Sequence, residues 1–231
     1  MRISGLQKLA MVDFPGKLAA TVFTGGCNLR CPFCHNAPLV NRVAETPELS
    51  EEEVLAFLKS RKGLLDGVVL SGGEPLLQHD AADFLKKVRE LGFAVKLDTN
   101  GCFPQVLADI LQQELVDYVA MDIKNCREKY AQTVGIPGFD ITPVEESVRL
   151  LQNSGINFEF RTTVVKIFHT AADIQAIGEW CQGAPHYFLQ QFVDSGDLVG
   201  VGCEALDPLE VKAFADLMRP FFYEVGVRGI D

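Results

Sequence analysis

The sequence predicts an α/β fold built on a partial (βα)6 barrel with parallel strands, and three observations support this prediction. Short runs rich in Val, Ile, Leu and Phe alternate with helical patterns, which gives six strand–helix units along the chain. Unusual polar clusters follow the predicted strands at their carboxyl ends, where barrels and open α/β sheets place active sites. Hydrophobic residues make up 48% of the 231 residues, enough for a sizeable core.

Six segments have the composition of buried parallel strands, because each is short and rich in β-branched or large apolar residues. They are Leu18–Thr24, Gly67–Leu70, Ala94–Asp98, Tyr118–Asp122, Asn157–Val164 and Tyr187–Phe192. Phe221–Val227 is predicted as a final strand, and residues 1–10 as an N-terminal hairpin or extension.

Helical patterns lie between these strands. Ser50 and Glu53 form a capping-box pattern that opens the first helix. The other predicted helices are Asp80–Leu91, Phe103–Gln113, Pro143–Ser154, Ala171–Cys181 and Pro208–Met218. Gly92 and Gly155 follow two of them, as expected for helix ends.

The alternation of strands and helices implies parallel strands joined by right-handed crossovers. Six units are too few to close an eight-fold barrel, so an open barrel is the simplest arrangement, and a flat doubly wound sheet is the alternative. We predict a single domain over residues 1–231. It would have an N-terminal extension (1–17), a βα core (18–220) and a C-terminal strand or tail (221–231).

The composition disfavours several classes of function. A formal net charge of −10 opposes binding to a phosphate backbone. No apolar run is long enough to span a membrane, and the N-terminal segment lacks the apolar stretch of a signal peptide. The seven cysteines are an odd number, and three are too closely spaced for a disulfide scaffold. We therefore expect a cytoplasmic protein with no nucleic-acid or membrane partner.

One motif carries most of the chemical information. Cys27, Cys31 and Cys34 form a CxxxCxxC triplet in the segment CNLRCPFC. Four thiolates complete a 4Fe–4S cluster, so three leave one iron open to bind a small molecule. The alternative is a zinc knot with His35 as fourth ligand, but structural zinc sites usually pair two short ligand clusters. We predict a 4Fe–4S cluster with three cysteine ligands.

A second motif, GGEP, follows the second predicted strand. Gly72 and Gly73 allow a ligand to approach the backbone closely, and Pro75 stiffens the turn. This leaves carbonyl groups and the Glu74 carboxylate free to accept hydrogen bonds from an ammonium group. An ordinary strand-to-helix turn is the alternative interpretation, because glycine and proline are common in such turns.

Charged residues follow the next strands. Asp98 and Asp122 are predicted on neighbouring strands that face one cavity, where two carboxylates repel each other unless a cation lies between them. Lys124 or a bound monovalent cation would supply that charge, and solvated surface positions are the alternative. Arg161, on a central strand, needs a carboxylate partner, either from a ligand or from Asp122.

Other candidates have weaker signals. His169 follows the fifth predicted strand and would border the cavity in one interpretation, with an ordinary structural position as the default. Cys102 and Cys126 follow two of the motifs. For them, as for Cys181 and Cys203, a small buried core residue is the default interpretation.

Together these motifs resemble the signature of the radical S-adenosylmethionine (SAM) superfamily, a CxxxCx(aromatic)C triplet followed by GGEP. Within it, the chain is similar to glycyl-radical-enzyme activases, and most of all to activating proteins of anaerobic ribonucleoside-triphosphate reductases in their longer form. The opening segment GLQKLAMVDFPGKLAATVFTGGCNLRCPFCHN follows that pattern, and the resemblance continues through GGEP, DTNG and DIK.

The resemblance implies roles for the motif residues. Cys27, Cys31 and Cys34 would hold the 4Fe–4S cluster, and the amine and carboxylate of SAM would chelate its fourth iron. Gly72, Gly73 and Glu74 would contact the amine, while Phe33 and His35 would border the adenine. Asp98, Thr99 and Asp122 match positions that frame a monovalent cation beside SAM in pyruvate formate-lyase activase. Lys124 matches a lysine near that cation, and we predict it as a catalytic residue together with the three cysteines. Arg161 is added to the predicted cofactor-binding residues because its buried charge needs a carboxylate partner.

The resemblance also implies a reaction and its partners. A reduced cluster passes one electron to SAM, and the 5′-deoxyadenosyl radical that results removes a hydrogen atom from a glycine Cα in a partner glycyl radical enzyme. Reduced flavodoxin or ferredoxin would donate the electron, and the expected partner is an anaerobic ribonucleotide reductase. The alternatives are a radical SAM enzyme for a small molecule, such as a deazapurine synthase, and an iron–sulfur electron carrier without turnover.

Overall fold

The structure is a computed structural model that describes residues 1–230. Backbone contacts divide the chain into two compact units. The first unit comprises Met1–Asn28 and Pro38–Val119, and the second comprises Leu29–Ala37 and Ala120–Asp231. One domain over residues 1–231 stays a prediction.

Four strands lie wholly in the first unit: β1 (Ile3–Ala10), β2 (Ala19–Thr24), β3 (Gly67–Gly72) and β4 (Ala94–Thr99). β1 runs antiparallel to β2, whereas β3 is parallel to both β2 and β4. Strand β5 (Tyr118–Asp122) begins in the first unit and ends in the second. The unbroken apolar run of β3 is fully buried, as expected for a parallel strand covered on both faces.

The helices of the first unit pack their apolar residues inward. Helix α1 (Ala37–Asn41) starts at the boundary between the units, and α2 (Glu51–Ser60), α3 (Ala81–Glu90) and α4 (Pro104–Gln112) follow in the first unit. The predicted capping box starts α2, because Ser50 Oγ accepts from the Glu53 amide at 3.2 Å and Glu53 accepts from the Ser50 amide at 2.9 Å.

The second unit contains three further parallel strands, β6 (Asn157–Val164), β7 (His186–Gln191) and β8 (Glu224–Arg228). Its helices are α5 (Tyr130–Thr133), α6 (Thr142–Ser154), α7 (Ala171–Cys181) and α8 (Pro208–Met218). Gly155 ends α6 in a left-handed conformation with φ of 72°, which glycine adopts without steric cost.

An ion pair between a partly exposed arginine and a buried glutamate connects β6 to β8. Both carboxylate oxygens of Glu159 accept from the Arg228 guanidinium, at 2.7 and 2.9 Å, and the Glu159 side chain is almost fully buried. The same guanidinium lies 3.6 Å from the ring centre of Phe188 on the intervening strand. This arrangement joins all three strands through side chains as well as backbone hydrogen bonds.

The mostly parallel α/β fold that the sequence predicts is confirmed, as are the six central strands and the six long helices. Two details differ. The N-terminal segment is a strand of the sheet, because β1 pairs with β2. The final strand starts at Glu224, since Phe222 is buried against the Tyr187 ring, 4.7 Å away between centres.

The polar motifs follow strand ends in both units. The loops after β2, β3 and β4 carry them in the first unit, and the loops after β5 and β6 in the second. In residues 1–230, no helix has the length and apolar character needed to cross a lipid bilayer.

Candidate functional site

The turn after β2 and the turn after β3 pack against each other in the first unit. The Gly73 amide donates to Thr24 O at 2.9 Å, and the Glu74 amide donates to Gly26 O at 2.8 Å. A Cβ at Gly73 would overlap the Gly26 carbonyl and lie 3.3 Å from Cβ of Cys27. Gly72 has φ of +129°, where only glycine is unstrained. Backbone packing beside the first cysteine therefore requires these glycines, independently of any ligand.

Glu74 links the loop after β3 to the loop after β4. Its carboxylate is 1% exposed and accepts from the Leu76 amide at 3.0 Å, the Thr99 hydroxyl at 2.8 Å and the Asn100 amide at 2.7 Å. A carboxylate has about four acceptor positions, so protein donors occupy most of those of Glu74. The expectation that Glu74 is free for an ammonium group is thus corrected: its main contacts hold two loops together.

Asn100 brings the loop after β4 to the first cysteine. Its side-chain amide lies 3.9 Å from Cys27 Sγ and donates to Asn28 Oδ1 at 2.8 Å, and Asn100 is 4% exposed. Its carbonyl oxygen accepts from the Cys102 amide at 3.0 Å. Asn100 had no predicted role, although its place in the DTNG motif was a signal that could have identified it.

Asp98 has an ammonium partner that was not predicted from the sequence. Lys96, two residues earlier on β4 and 2% exposed, forms an ion pair with Asp98 Oδ1. The Ser71 hydroxyl donates to Asp98 Oδ2 at 3.1 Å. A lysine within the otherwise apolar run AVKL was the available signal, since a charge in a buried strand must be paired.

Cys31 and Cys34 lie in a tight turn of the second unit. The Cys34 amide donates to Cys31 O at 3.0 Å, and Cys31 is buried. An irregular segment after β7 packs on this turn, because the Gly200 amide donates to Pro32 O at 2.8 Å and the Val199 amide to Cys34 O at 3.3 Å. A Cβ at Gly200 would lie 2.6 Å from Cβ of Pro32, so only glycine fits there.

The two residues expected to border an adenine lie in the same turn. Phe33 is buried against Phe168, with ring centres 5.9 Å apart. His35 has an exposed edge, but partial burial of its imidazole and the Lys124 charge lower its pKa, so the ring is neutral near pH 7.

Asp122 and Lys124, at the end of β5, form a charged cluster with Arg161, which lies within β6. Asp122 accepts from Lys124 Nζ at 3.0 Å and from Arg161 Nε at 2.9 Å. Burial opposes ionisation of Asp122, but the two cations outweigh it and hold the pKa of this carboxyl well below its usual value. Burial likewise opposes the charge of Lys124, yet Asp122 and the Cys31 and Cys34 thiolates raise the Lys124 pKa.

Buried polar residues support the Lys124 backbone. His169, which is 2% exposed, lies with Nε2 2.9 Å from Lys124 O, and its Nδ1 accepts from the Val165 amide at 3.1 Å. The neighbouring Asn125 donates to Thr133 Oγ1 at 2.8 Å and to Phe168 O at 3.0 Å. His169 therefore fixes the backbone of the loop that carries Lys124.

The predicted site residues are distributed over both units. The first unit contains Cys27, Gly72, Gly73, Glu74, Asp98 and Thr99, and the second contains Cys31, Phe33, Cys34, His35, Asp122, Lys124 and Arg161. Cys126, Cys181 and Cys203 are buried as expected, with Cys126 Sγ 3.5 Å from Asp173 Oδ1, whereas Cys102 is only half-buried. Asp98 and Asp122, the two aspartates predicted to need a cation, each form an ion pair with a lysine of the protein.

The residues around the cysteine triplet fit an iron–sulfur cluster. None of these three cysteines is in a disulfide bond. The Lys124 ammonium places positive charge near Cys31 and Cys34, and the Asn100 side-chain amide lies 3.9 Å from Cys27 Sγ, so both groups complement the negative charge of a cluster with cysteine ligands. Among residues 1–230, no three His, Cys, Asp or Glu side chains are grouped closely enough to hold a single metal ion.

Comparison with known proteins agrees with this chemistry. The family model of the radical SAM superfamily matches residues 21–181. A Methanocaldococcus jannaschii protein assigned as a glycyl-radical enzyme activating enzyme is 34% identical over 197 residues, which cover 82% of this chain and 79% of that protein. The pyruvate formate-lyase-activating enzyme of Clostridium pasteurianum is 34% identical over 172 residues, covering 71% of this chain and 68% of that enzyme.

A solved structure shares the fold. Streptococcus suis SuiB bound to S-adenosylmethionine aligns with a TM-score of 0.71 and 14% identity over 88% of this chain, which corresponds to 48% of SuiB. The chain thus spans about half the length of that protein. The family match requires a 4Fe–4S cluster and SAM as cofactors. The chain is an enzyme that belongs to the radical SAM superfamily, in the branch of the glycyl-radical enzyme activating enzymes.

Proposed function

We propose that this chain generates a glycyl radical in a partner enzyme, and that the partner is an anaerobic ribonucleoside-triphosphate reductase. The observation that carries the proposal is the hydrogen-bond network of Glu74, Thr99 and Asn100, which joins the GGEP and DTNG loops to the first cysteine of the triplet. The similarity of this chain to activating enzymes over most of its length supports the choice of reaction class.

In this proposal, Cys27, Cys31 and Cys34 hold the 4Fe–4S cluster. When bound and reduced, the cluster would supply the one electron needed to cleave SAM and so start hydrogen abstraction from the glycine. The protein binds SAM, orients it and keeps water away from the reacting atoms.

The first unit would bind the methionyl end of SAM. Backbone carbonyls around Gly72 and Gly73 would face the ammonium group in this assignment, and the Glu74 carboxylate would add negative charge beside it. Asp98 and Thr99 complete the polar surface at the end of β4. Since protein donors already fix Glu74, its carboxylate needs no rearrangement when the ligand arrives.

The second unit would contribute electrostatics and the nucleoside contacts. Lys124 forms an ion pair with Asp122 and stays positively charged beside Cys31 and Cys34. Neutral His35 and the buried ring of Phe33 would border the adenine, where an uncharged and partly apolar surface suits a purine. Arg161 would act through Asp122, which it contacts directly.

The most specific part of the proposal is the identity of the partner enzyme and of the electron donor. The activase-like opening segment favours the anaerobic reductase, and reduced flavodoxin or ferredoxin would supply the electron. With a net charge of −10, the chain is complementary to a partner that presents basic or apolar surface around its glycine loop.

The test is an anaerobic activation assay. Reconstituted protein is mixed with dithionite, SAM and a candidate reductase. Chromatography measures the 5′-deoxyadenosine formed, and electron paramagnetic resonance (EPR) detects the doublet signal of a glycyl radical. A reductase with its radical glycine changed to alanine is the substrate control, and the Cys27→Ala, Cys31→Ala, Cys34→Ala triple variant is the cluster control. Flavodoxin or ferredoxin then replaces dithionite.

Each outcome has a distinct meaning. A radical on the native reductase alone, with 5′-deoxyadenosine, supports the proposal. Cleavage of SAM without any glycyl radical, accompanied by consumption of a purine-like small molecule, supports the small-molecule alternative. A reducible cluster that never cleaves SAM supports the electron carrier.

A further inference from the structure

One buried charge in the first unit has no part in the function proposed above. Lys96 lies in the middle of β4, 2% exposed, between the fully buried Val95 and Leu97. An ammonium group in this position loses its hydration and needs a partner. That partner is Asp98, on the same strand.

Strand geometry explains the pairing. Side chains two residues apart in a strand lie on the same face, so Lys96 and Asp98 are neighbours there. In the parallel register of β3 and β4, Val69 is level with Lys96, which brings Ser71 level with Asp98. The Asp98 carboxylate is therefore held from two sides, by the ammonium at Oδ1 and by the Ser71 hydroxyl at Oδ2.

The position of the pair indicates a role beyond stability. A buried ion pair is often no more stabilising than an apolar pair of the same size, so stability alone does not explain Lys96. Asp98 directly precedes Thr99, whose hydroxyl donates to Glu74 at 2.8 Å. The ammonium thus neutralises a carboxylate within the proposed SAM-binding surface.

We propose that Lys96 is a positioning residue for SAM, a built-in counter-ion that orients Asp98 and removes the need for a monovalent metal cation at this carboxylate. This inference rests on the proposed SAM site. If the ammonium is removed, the Asp98 carboxylate takes up a cation from solution instead, because a mostly buried carboxylate in a low-dielectric site attracts a counter-ion strongly. SAM binding then becomes dependent on potassium or sodium.

The experiment measures the SAM dissociation constant of the reconstituted holoprotein in potassium chloride and in tetramethylammonium chloride at equal ionic strength. Tetramethylammonium is too large to take the place of the Lys96 ammonium. The native protein and Lys96→Arg should bind SAM equally in both salts. Lys96→Met should bind about 10- to 100-fold more weakly in tetramethylammonium, as for a lost charged hydrogen bond, and should recover most of the affinity in potassium.

Controls separate this role from folding. Lys87→Met removes an ammonium from an exposed pair with Glu51 on the helix side of the same unit and should change neither affinity nor salt dependence. Circular dichroism and iron content establish that each variant is folded and loaded.

Three results would overturn the inference: native affinity of Lys96→Met in both salts, an equal loss in both salts, or a potassium requirement of the native protein. The last is decisive even if Lys96→Met does not fold. A native protein that binds no SAM in either salt contradicts the proposed function instead.

Discussion

The side-chain amide of Asn100 lies 3.9 Å from Sγ of Cys27, in the loop that follows β4. Hydrogen bonds to the sulfur ligands of an iron–sulfur cluster stabilise its reduced, more negative state and so raise its reduction potential. The amide also contacts Asn28, the residue after the cysteine, at 2.8 Å. Asn100 is therefore placed to tune the cluster as well as to shape its loop.

We expect Asn100→Ala to lower the midpoint potential of the cluster, because the donor to Cys27 is lost. Asn100→Asp should lower it further, since a carboxylate repels the extra electron. The measurement is an anaerobic redox titration followed by EPR. Asn153→Ala removes an exposed amide that contacts only its own helix, and it should leave the potential unchanged. An Asn100→Ala potential equal to that of the native protein would contradict the prediction.

Gly73→Ala should impair cluster loading and SAM binding together. The added methyl overlaps the Gly26 carbonyl and crowds Cβ of Cys27, so the cysteine turn must shift. Iron content and EPR-monitored SAM titration check both effects. Gly5→Ala is the matched control, because a Cβ there meets only ordinary contacts of 3.5 Å or more with Phe23. Full iron content in Gly73→Ala would show that the turns tolerate the methyl group.

His169 should make the protein less stable at mildly acidic pH. Burial is the largest influence and lowers the His169 pKa; Lys129 adds to this, while hydrogen bonds and Asp173 oppose it. The unfolded chain therefore binds this proton at higher pH than the folded protein. Its contribution is complete above the usual histidine pKa of about 6.5 and is lost as pH falls below it, by at most about 1.4 kcal/mol per pH unit.

The comparison with His169→Gln isolates this effect, because glutamine can still donate to Lys124 O but does not titrate. The free energy of unfolding of the anaerobic holoprotein is measured by denaturant titration between pH 5.5 and 7.5 (about two units, the range of histidine titration). We expect the native protein to lose more stability than the variant as pH falls. Parallel pH profiles would rule out a titrating His169.

Arg228→Met should destabilise the second unit strongly. It removes both hydrogen bonds to the buried Glu159 carboxylate and the contact with the Phe188 ring. Breaking one side of a buried pair costs about 3–5 kcal/mol. Arg219→Met removes an exposed pair with Asp216 and should cost at most about 1 kcal/mol. Equal denaturation midpoints for the two variants would refute this account of the Glu159–Arg228 pair.

Local patterns in the sequence were sufficient for the elements of the fold and for the chemistry of the site. Buried parallel strands such as β3 and capped helices such as α2 follow from short-range composition and spacing. The CxxxCxxC spacing of Cys27, Cys31 and Cys34 identified the cofactor, because cluster ligation depends on residue type and chain separation.

Partners distant in sequence were decided by the tertiary structure. The Glu74 carboxylate was predicted to accept hydrogen bonds from a ligand. It instead accepts them from Thr99 and Asn100 at the end of the next strand, and protein donors occupy most of its acceptor positions. The role of Lys96 was not predicted because it depends on two facts of the folded sheet. Lys96 shares one face of β4 with Asp98, and Ser71 of β3 lies beside Asp98. His169 likewise supports Lys124 from 45 residues away. Hydrogen bonds require distance and direction within tenths of an ångström, and only the packing of strands and loops sets those.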